Sequence, residues 1–366
     1  MLSALNIYLF LRHILAYILK MSNTRLKPLF TLLFLIGIIF HLKAESPSTS
    51  NNSDELYNPV PAIMHHISDS HEWHLWGEGE GSVSIPLPVI LYTAGSLDIF
   101  MSSAFHHGKS NVKIEDREYS LDSHGHVFET SGLHPIDFSI TKNVASMFLA
   151  LIVMLLLFVL TGLKSKRNFG APTGLASFIE PLVLFVRDDI IKPNIGSNYK
   201  KYLPYLLTLF FFILINNLLG LLPGAANVTG NIAITLVLSF ITLIVTNISG
   251  NKSYWSHIFK PPGVPLALMP IMIPIEIVGI FTKPFALMIR LFANISAGHI
   301  IILSLISLIF MAQSGLGNAG AFGVAPVSVL FVLFMYLIEV LVAFLQAYIF
   351  TLLTSLFIGL ATVEHH

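Results

Sequence analysis

RLFANISAGH, residues 290–299, sets an arginine in a stretch that otherwise reads as membrane helix. A guanidinium in hydrocarbon costs at least ~2.5 kcal/mol on insertion scales, so Arg290 needs both compensation and a use. Reading outward sharpens the contrast. Across the eighty positions from Pro284 to Val363, only Arg290 and Glu339 carry a formal charge. The two could simply pair with each other, or snorkel to an interface, or serve chemistry. Snorkelling is hard for Arg290, which has apolar sequence on both sides.

Composition agrees with a membrane setting. Of the 366 residues 54% are apolar and 11% charged, and the mean hydropathy is +0.77; these values point away from a soluble globule. The formal charge is zero, which gives no case for a nucleic-acid partner. No phosphate-cradling glycine loop is present. The chain has no cysteine, which excludes disulfides and thiolate chemistry.

Along the chain, residues 21–44 have the layout of a secretory signal peptide. Arg25 and Lys27 precede an apolar run from Leu29 to Phe40, and Ala44 stands before the polar ESPSTSNNS. The run is short for ~30 Å of hydrocarbon. Cleavage after Ala44 is expected, with Met21 a possible true start; an uncleaved anchor helix is the alternative. Residues 45–140 are polar and turn-rich, with extended-looking pieces such as SVSIPLPVILY, and read as a small exported segment with some β-structure. Its histidines cluster at 65–74, 106–108 and 123–126. HEWH lacks zincin spacing, so an ordinary polar surface is expected there rather than a metal site.

Residues 141–366 form a membrane domain. Val144–Leu163, Tyr202–Leu222 and Asn231–Asn247 are candidate spans. GLASFIEPLVLFVRDDIIKP, with Glu180, Arg187, Asp188 and Asp189, reads as an interfacial or partly re-entrant helix. Two long apolar stretches follow, Val264 to about Phe310 and Pro326 to about Leu360. The first would extend ~70 Å as a helix, so it must tilt steeply or break near Pro270, Pro274 or Pro284. The expected fold is an all-α polytopic membrane protein with five to six membrane helices, including a long tilted helical hairpin, and a small N-terminal extramembrane segment of partly β character. The loops at 164–201 and 249–263 hold all the loop lysines and arginines, and those at 223–230 and 311–325 hold none. The basic loops are therefore expected inside, with segment 45–140 outside and the C-terminal EHH inside.

Helical geometry narrows the candidates. At 100° per residue Glu276, Lys283, Arg290, Asn294 and Ala297 fall along one line, bordered by Ala286 and Ala293. Small residues permit another helix to approach closely. His299, nine positions beyond Arg290, faces the opposite way. On the second long helix Glu339 and Gln346 are seven apart and share a face. If the helices are antiparallel with Gln346 level with Arg290, Glu339 and His299 lie ~10.5 and ~13.5 Å further outward and nearly meet. A carboxylate and an imidazole at similar depth make a proton relay; a lone satisfied histidine is the alternative.

The most specific stretches are PIEIVGIFTKPFALMIRLFANISAGH (274–299) and IEVLVAFLQAYIFTLL (338–353), with weaker support from NNLLGLLPG (216–224) and NVTGNIAIT (227–235). Together they resemble subunit a of the F-type ATP synthase over roughly residues 140–366. The resemblance implies a proton-conducting stator in the bacterial inner membrane, multi-pass. Its implied partners are a ring of c subunits, peripheral stalk b subunits, the remaining synthase subunits, membrane lipid and protons. No cofactor, metal or catalytic site of its own is implied. Residue by residue, Arg290 is similar to the family's obligatory arginine, Gln346 to its partner glutamine, Asn294 to the polar residue one turn on, and Glu276 to an acidic residue of the inner channel. Many bacterial members carry glutamate after the AG and histidine on the last helix; here His299 and Glu339 exchange those places. Rival readings are a stand-alone ion channel or secondary transporter, for which no inverted repeat is visible, and a periplasmic metal sensor with a membrane anchor.

Overall fold

A computed structural model describes residues 57–362 except 77–82, 94, 107–109, 123–124, 132–134, 168–173, 223 and 261–264. The expected signal peptide, its cleavage point and the EHH terminus lie outside the described residues. The chain divides into two compact units. One comprises residues 1–50 and 74–84; its described parts are strand residues 74–76 and 83–84. The other, 51–73 and 85–366, contains the two three-stranded sheets, the helices and the site described below.

A short helix α1 (Val60–Ile67) is followed by β1 (Glu72–Trp76) and β2 (Val83–Pro86). A small β-structure then forms from two antiparallel three-stranded sheets. One orders β4 (Ser96–Met101), β3 (Pro88–Thr93) and β8 (Ile136–Asp137); the other orders β5 (Val112–Ile114), β6 (Arg117–Leu121) and β7 (Val127–Glu129). Val89, Leu91, Phe105, Tyr119 and Val127 form its core. Within it the Tyr119 hydroxyl donates to Asp98 Oδ2 at 2.6 Å, and burial followed by that contact pushes the hydroxyl's pKa up.

The membrane helices are α2 (Lys142–Arg167), α3 (Leu175–Phe185), α4 (Lys192–Ile195), α5 (Tyr199–Gly220), α6 (Ile232–Ser249) and α8 (Met269–Thr362), with the short α7 (Lys252–Phe259) before the last. Helix α6 shows why this bundle belongs in lipid. Thr235, Ser239, Thr242 and Thr246, spaced four, three and four, are buried, while Phe240 is 55% and Ile248 80% exposed. That pattern inverts a water-soluble helix. It is stable only where the outer solvent is apolar, because the hydroxyls bond within the protein. Three of the four do so among the described residues: Thr235 donates to the Ile232 carbonyl, Ser239 to that of Leu236 and Thr242 to that of Leu238, and Tyr205 meets Thr242 at 3.2 Å. The Asn231 side chain caps the helix by accepting from the Ala233 amide at 2.9 Å.

Helix α8 is a hairpin. Gly317, at φ 66° and ψ −166°, is not helical and separates arms 269–316 and 318–362. Only glycine adopts that conformation without strain. The arms run antiparallel: Ile302 and Ile306 pack on Val332, and Ser328 Oγ donates to the Leu305 carbonyl. Of the two options for the first long stretch, a steep tilt or a break near Pro270, Pro274 or Pro284, the break does not occur. The helix passes through Pro274 and Pro284, which membrane helices tolerate because neighbours satisfy the freed carbonyls. The supposed loop 311–325 is helical except for its glycine hinge.

On the second arm Ala343, Ala347, Thr351, Ser355 and Ile358 are fully buried or nearly so, a stripe of mostly small side chains that admits neighbouring backbone. Segment 175–195 closes on it. Phe185 gives way to a π-turn, Val186–Ile191, whose Val186, Ile190 and Ile191 are buried. Asn194 donates to Ser355 Oγ at 3.1 Å. A methyl on Gly359 would collide with the Asn194 carbonyl oxygen, which being backbone cannot move aside. Gly359→Ala is therefore expected to destabilise the protein by ~1–3 kcal/mol, seen as a lower thermal midpoint of the detergent-solubilised protein.

Candidate functional site

The hairpin sets the depth of each polar side chain. With Leu305 opposite Ser328 and Ile302 and Ile306 opposite Val332, the same register brings His299 beside Glu339. Their Nδ1 and Oε1 atoms are 3.8 Å apart, and the side chains are 14% and 7% exposed. The expected near-meeting thus occurs, and the site is buried rather than open.

His299 is held from both ends. Nδ1 lies 3.1 Å from its own helix's Ile295 carbonyl and Nε2 lies 3.0 Å from the Gly220 carbonyl at the end of α5. A neutral imidazole donates from one nitrogen only, whereas the protonated ring donates from both. With a carbonyl at each nitrogen, the ring donates to one of them when neutral and to both when it carries a second proton. Glu339 is the complement. It is buried, yet neither carboxylate oxygen has a hydrogen-bond partner among the described residues. A buried unpartnered carboxylate is costly, and the His299 ring, 3.8 Å from Oε1, is within reach of a small side-chain movement.

Gly298 makes room for this arrangement. A methyl there would overlap Glu339 Oε1. The carboxylate is the far end of a flexible side chain, so it would swing away rather than break the fold. Gly298→Ala is expected to leave assembly intact while lowering ATP-driven proton pumping severalfold, measured as acidification of inverted membrane vesicles. Nothing chemical marks this glycine in the sequence; its role depends on what stands opposite. Around the pair lies further buried polar structure. Asn217 donates to the Ala343 carbonyl at 3.2 Å and accepts from Thr229 at 2.6 Å, and Ser296 donates to the Gly230 carbonyl at 3.3 Å.

Arg290 lies elsewhere. It is half-buried, and it makes no hydrogen bond or ion pair among the described residues. The Arg290–Glu339 pair considered from sequence does not form, since Glu339 faces His299. Beside Arg290 the outward positions Ala286, Ile289, Ala293, Asn294 and Ala297 are all exposed. The arginine therefore sits on an outer stripe of mostly small and apolar side chains, without a counter-charge among the described residues. Gln346 is buried on the facing arm and also makes no hydrogen bond among the described residues.

Glu276 and Lys283 lie on the same arm toward its start. Lys283 Nζ is 5.7 Å from the Phe357 ring. A crevice between α6, α7 and the two arms is lined by Thr246, Asn247, Tyr254, Lys283 and Phe357 among others. Burial, and after it the negative charge of Glu276, push the Tyr254 hydroxyl pKa up, so Glu276 acts on Tyr254 at the edge of this crevice. The sequence reading missed Tyr254, whose α7 lies in a polar connecting segment with no apolar periodicity. Among the described residues no three or more histidine, aspartate or glutamate side chains gather as a metal site would require. His71 instead bonds Asp137 at 2.9 Å. Burial raises the Asp137 pKa, but the bonds from His71 and Ser139 outweigh it and hold the carboxyl near about 2.

Residues 144–359 match the ATP synthase A chain family, and residues 62–144 match a domain of unknown function. A protein of Chlorobium phaeobacteroides (strain BS1) named ATP synthase subunit a is 47% identical over 273 residues, covering 70% of this chain and 78% of that protein. ATP synthase subunit a 2 of Prosthecochloris aestuarii is 51% identical over 235 residues, 62% of this chain and 70% of its own. ATP synthase subunit a of an Anaeromyxobacter species is 39% identical over 318 residues, 83% of this chain and 70% of its own.

Proposed function

The chain belongs to the ATP synthase A chain family, and so is the membrane-embedded, proton-translocating stator subunit of an ATP synthase; from that premise we propose how its residues divide the work. Arg290 faces a ring of c subunits and meets each ring carboxylate in turn. A carboxylate in lipid is neutral, whereas one opposite a guanidinium is ionised. Arg290 therefore strips the proton from each arriving carboxylate and holds the anion until it moves on. Asn294 one turn on and Gln346 on the facing arm engage the arginine when a ring carboxylate arrives.

Protons come in from outside through His299 and Glu339 and leave inward through the crevice bordered by Glu276. Between the two paths stands the fixed charge of Arg290, which blocks a direct leak. Each proton moving through 100 mV supplies ~2.3 kcal/mol, so several are combined per ATP. The basic loops lie on the cytoplasmic side of a bacterial inner membrane, with segment 45–140 periplasmic and the C-terminus cytoplasmic. Residues 141–366 form the membrane domain. Stalk b subunits hold it against the torque of the ring.

One observation carries this reading: the half-buried Arg290 has no counter-charge among the described residues and lies among exposed small residues. Only an external acid completes it. Purification in mild detergent tests the partnership. A ring of small hairpin subunits and a catalytic head should accompany the chain; a monodisperse chain that transports ions alone would favour the stand-alone channel instead.

A further inference from the structure

The small β-structure has two outward faces of opposite character. On the β5–β6–β7 sheet, Lys113 pairs with Glu118 across the ladder and both are exposed, the ordinary surface of a sheet facing water. On the β4–β3–β8 sheet, every outward position is apolar. Leu97 pairs with Tyr92, and Tyr92 with Ile136; Ile99 pairs with Ile90, beside which Phe138 is bonded. Leu97 is 56%, Ile99 62%, Ile136 56% and Phe138 63% exposed. The opposite side of β3, Val89 and Leu91, is fully buried in the core. A strand that is apolar on both faces belongs to a sheet covered on both faces, and a contiguous exposed patch of this kind marks a contact surface.

The connection to α2 says what covers it. The Phe138 amide donates to the Ile90 carbonyl at 2.9 Å and the Ile140 amide to that of Pro88 at 3.1 Å, so the sheet continues to within two residues of the helix. Lys142 opens α2 with its Nζ on the carbonyls of Ser68 and His66, and Asp69 accepts from the Asn143 amide at 3.1 Å. The junction is thus clamped. Helix α2 is an apolar span of which 17% is buried by protein, leaving Phe148, Ile152 and Leu155 more than half exposed or nearly so for lipid. Four chain steps separate Phe138 from Lys142, at most ~14 Å, and the polar layer on one side of a bilayer is about 5–8 Å deep. The apolar sheet face therefore lies within reach of the membrane surface from which α2 emerges.

We infer that the outward face of the β4–β3–β8 sheet is a lipid-docking surface, seated on the headgroup–acyl boundary of the leaflet that α2 leaves. Tyr92 and Phe138 supply aromatic rings of the kind that favour this depth, and Leu97, Ile99 and Ile136 supply the buried area. The inference uses the membrane assignment of α2 and is independent of the proton path.

The absence of native cysteine makes the test direct. Ile99→Cys, Phe138→Cys and, as reference, Lys113→Cys are each labelled with a small environment-sensitive fluorophore on the full chain, in phosphatidylethanolamine–phosphatidylglycerol nanodiscs and in the assembled synthase. At 99 and 138, quenching by nitroxide-bearing lipid should exceed that at 113 severalfold, with aqueous iodide quenching correspondingly weaker. Iodide quenching at 99 and 138 equal to that at 113 would overturn the inference. So would shielding from both quenchers, which would place a protein subunit on the face. Two independent positions guard against one substitution disturbing the sheet.

Discussion

Arg290→Ala is expected to abolish ATP-driven proton pumping, lowering it by at least ~100-fold, the scale of losing a preorganised electrostatic partner. Acidification of inverted membrane vesicles measures it. The amount of assembled enzyme should not change, because Arg290 makes no bond among the described residues that alanine would remove. A purely structural arginine predicts the reverse pattern, a loss of assembled protein with normal pumping per enzyme. Removing the catalytic head should separate the variant further, since without the fixed charge between the two paths, passive proton leakage should rise. Arg290→Lys should behave differently again. Lysine keeps a charge but lacks the planar fork and surrenders its proton more readily when desolvated, so pumping should stay well below wild type. Unchanged pumping in Arg290→Ala would remove the basis of the proposed mechanism.

How much of this was legible in advance depended on whether a feature is costly by itself or only in company. Arg290 and Glu339 stand out because charge in a membrane helix carries a penalty that sequence alone reveals. The meeting of His299 with Glu339 follows from helical rise once the arms are taken as antiparallel. The hairpin's turn, at Gly317, falls inside the expected loop 311–325, whereas a break at the prolines, one of two options for the first long stretch, does not occur because in lipid Pro274 and Pro284 stay inside a continuous helix. Gly298, the Gly220 carbonyl and Tyr254 were invisible for a different reason. Each acts through what faces it: a carboxylate on the other arm, an imidazole 79 positions away in sequence, a glutamate on another helix. No pattern local to those residues encodes the partner. The buried threonine stripe of α6 was readable from its spacing, but its meaning required knowing which face turns inward.

The second large effect concerns the exchanged pair. His299→Ala and Glu339→Gln should each slow proton pumping by ~100-fold, the scale of removing a positioned acid or base. The double exchange, His299→Glu with Glu339→His, should recover to within ~10-fold of wild type. The two side chains stand at one depth 3.8 Å apart, so exchanging them leaves one carboxylate and one imidazole at that level, and the path still holds both carriers. Recovery should be incomplete for structural reasons. A glutamate at 299 cannot donate to the Gly220 carbonyl as the ring does, except when protonated, and a histidine at 339 must fit the space that Gly298 leaves for a slimmer carboxylate. The decisive quantity is the coupling between the sites in a double-mutant cycle. Strong recovery relative to the product of the single effects means that the two residues pass a proton between them. A double variant no better than that product would mean that each acts alone, and the relay would have to be abandoned even if Arg290 keeps its place.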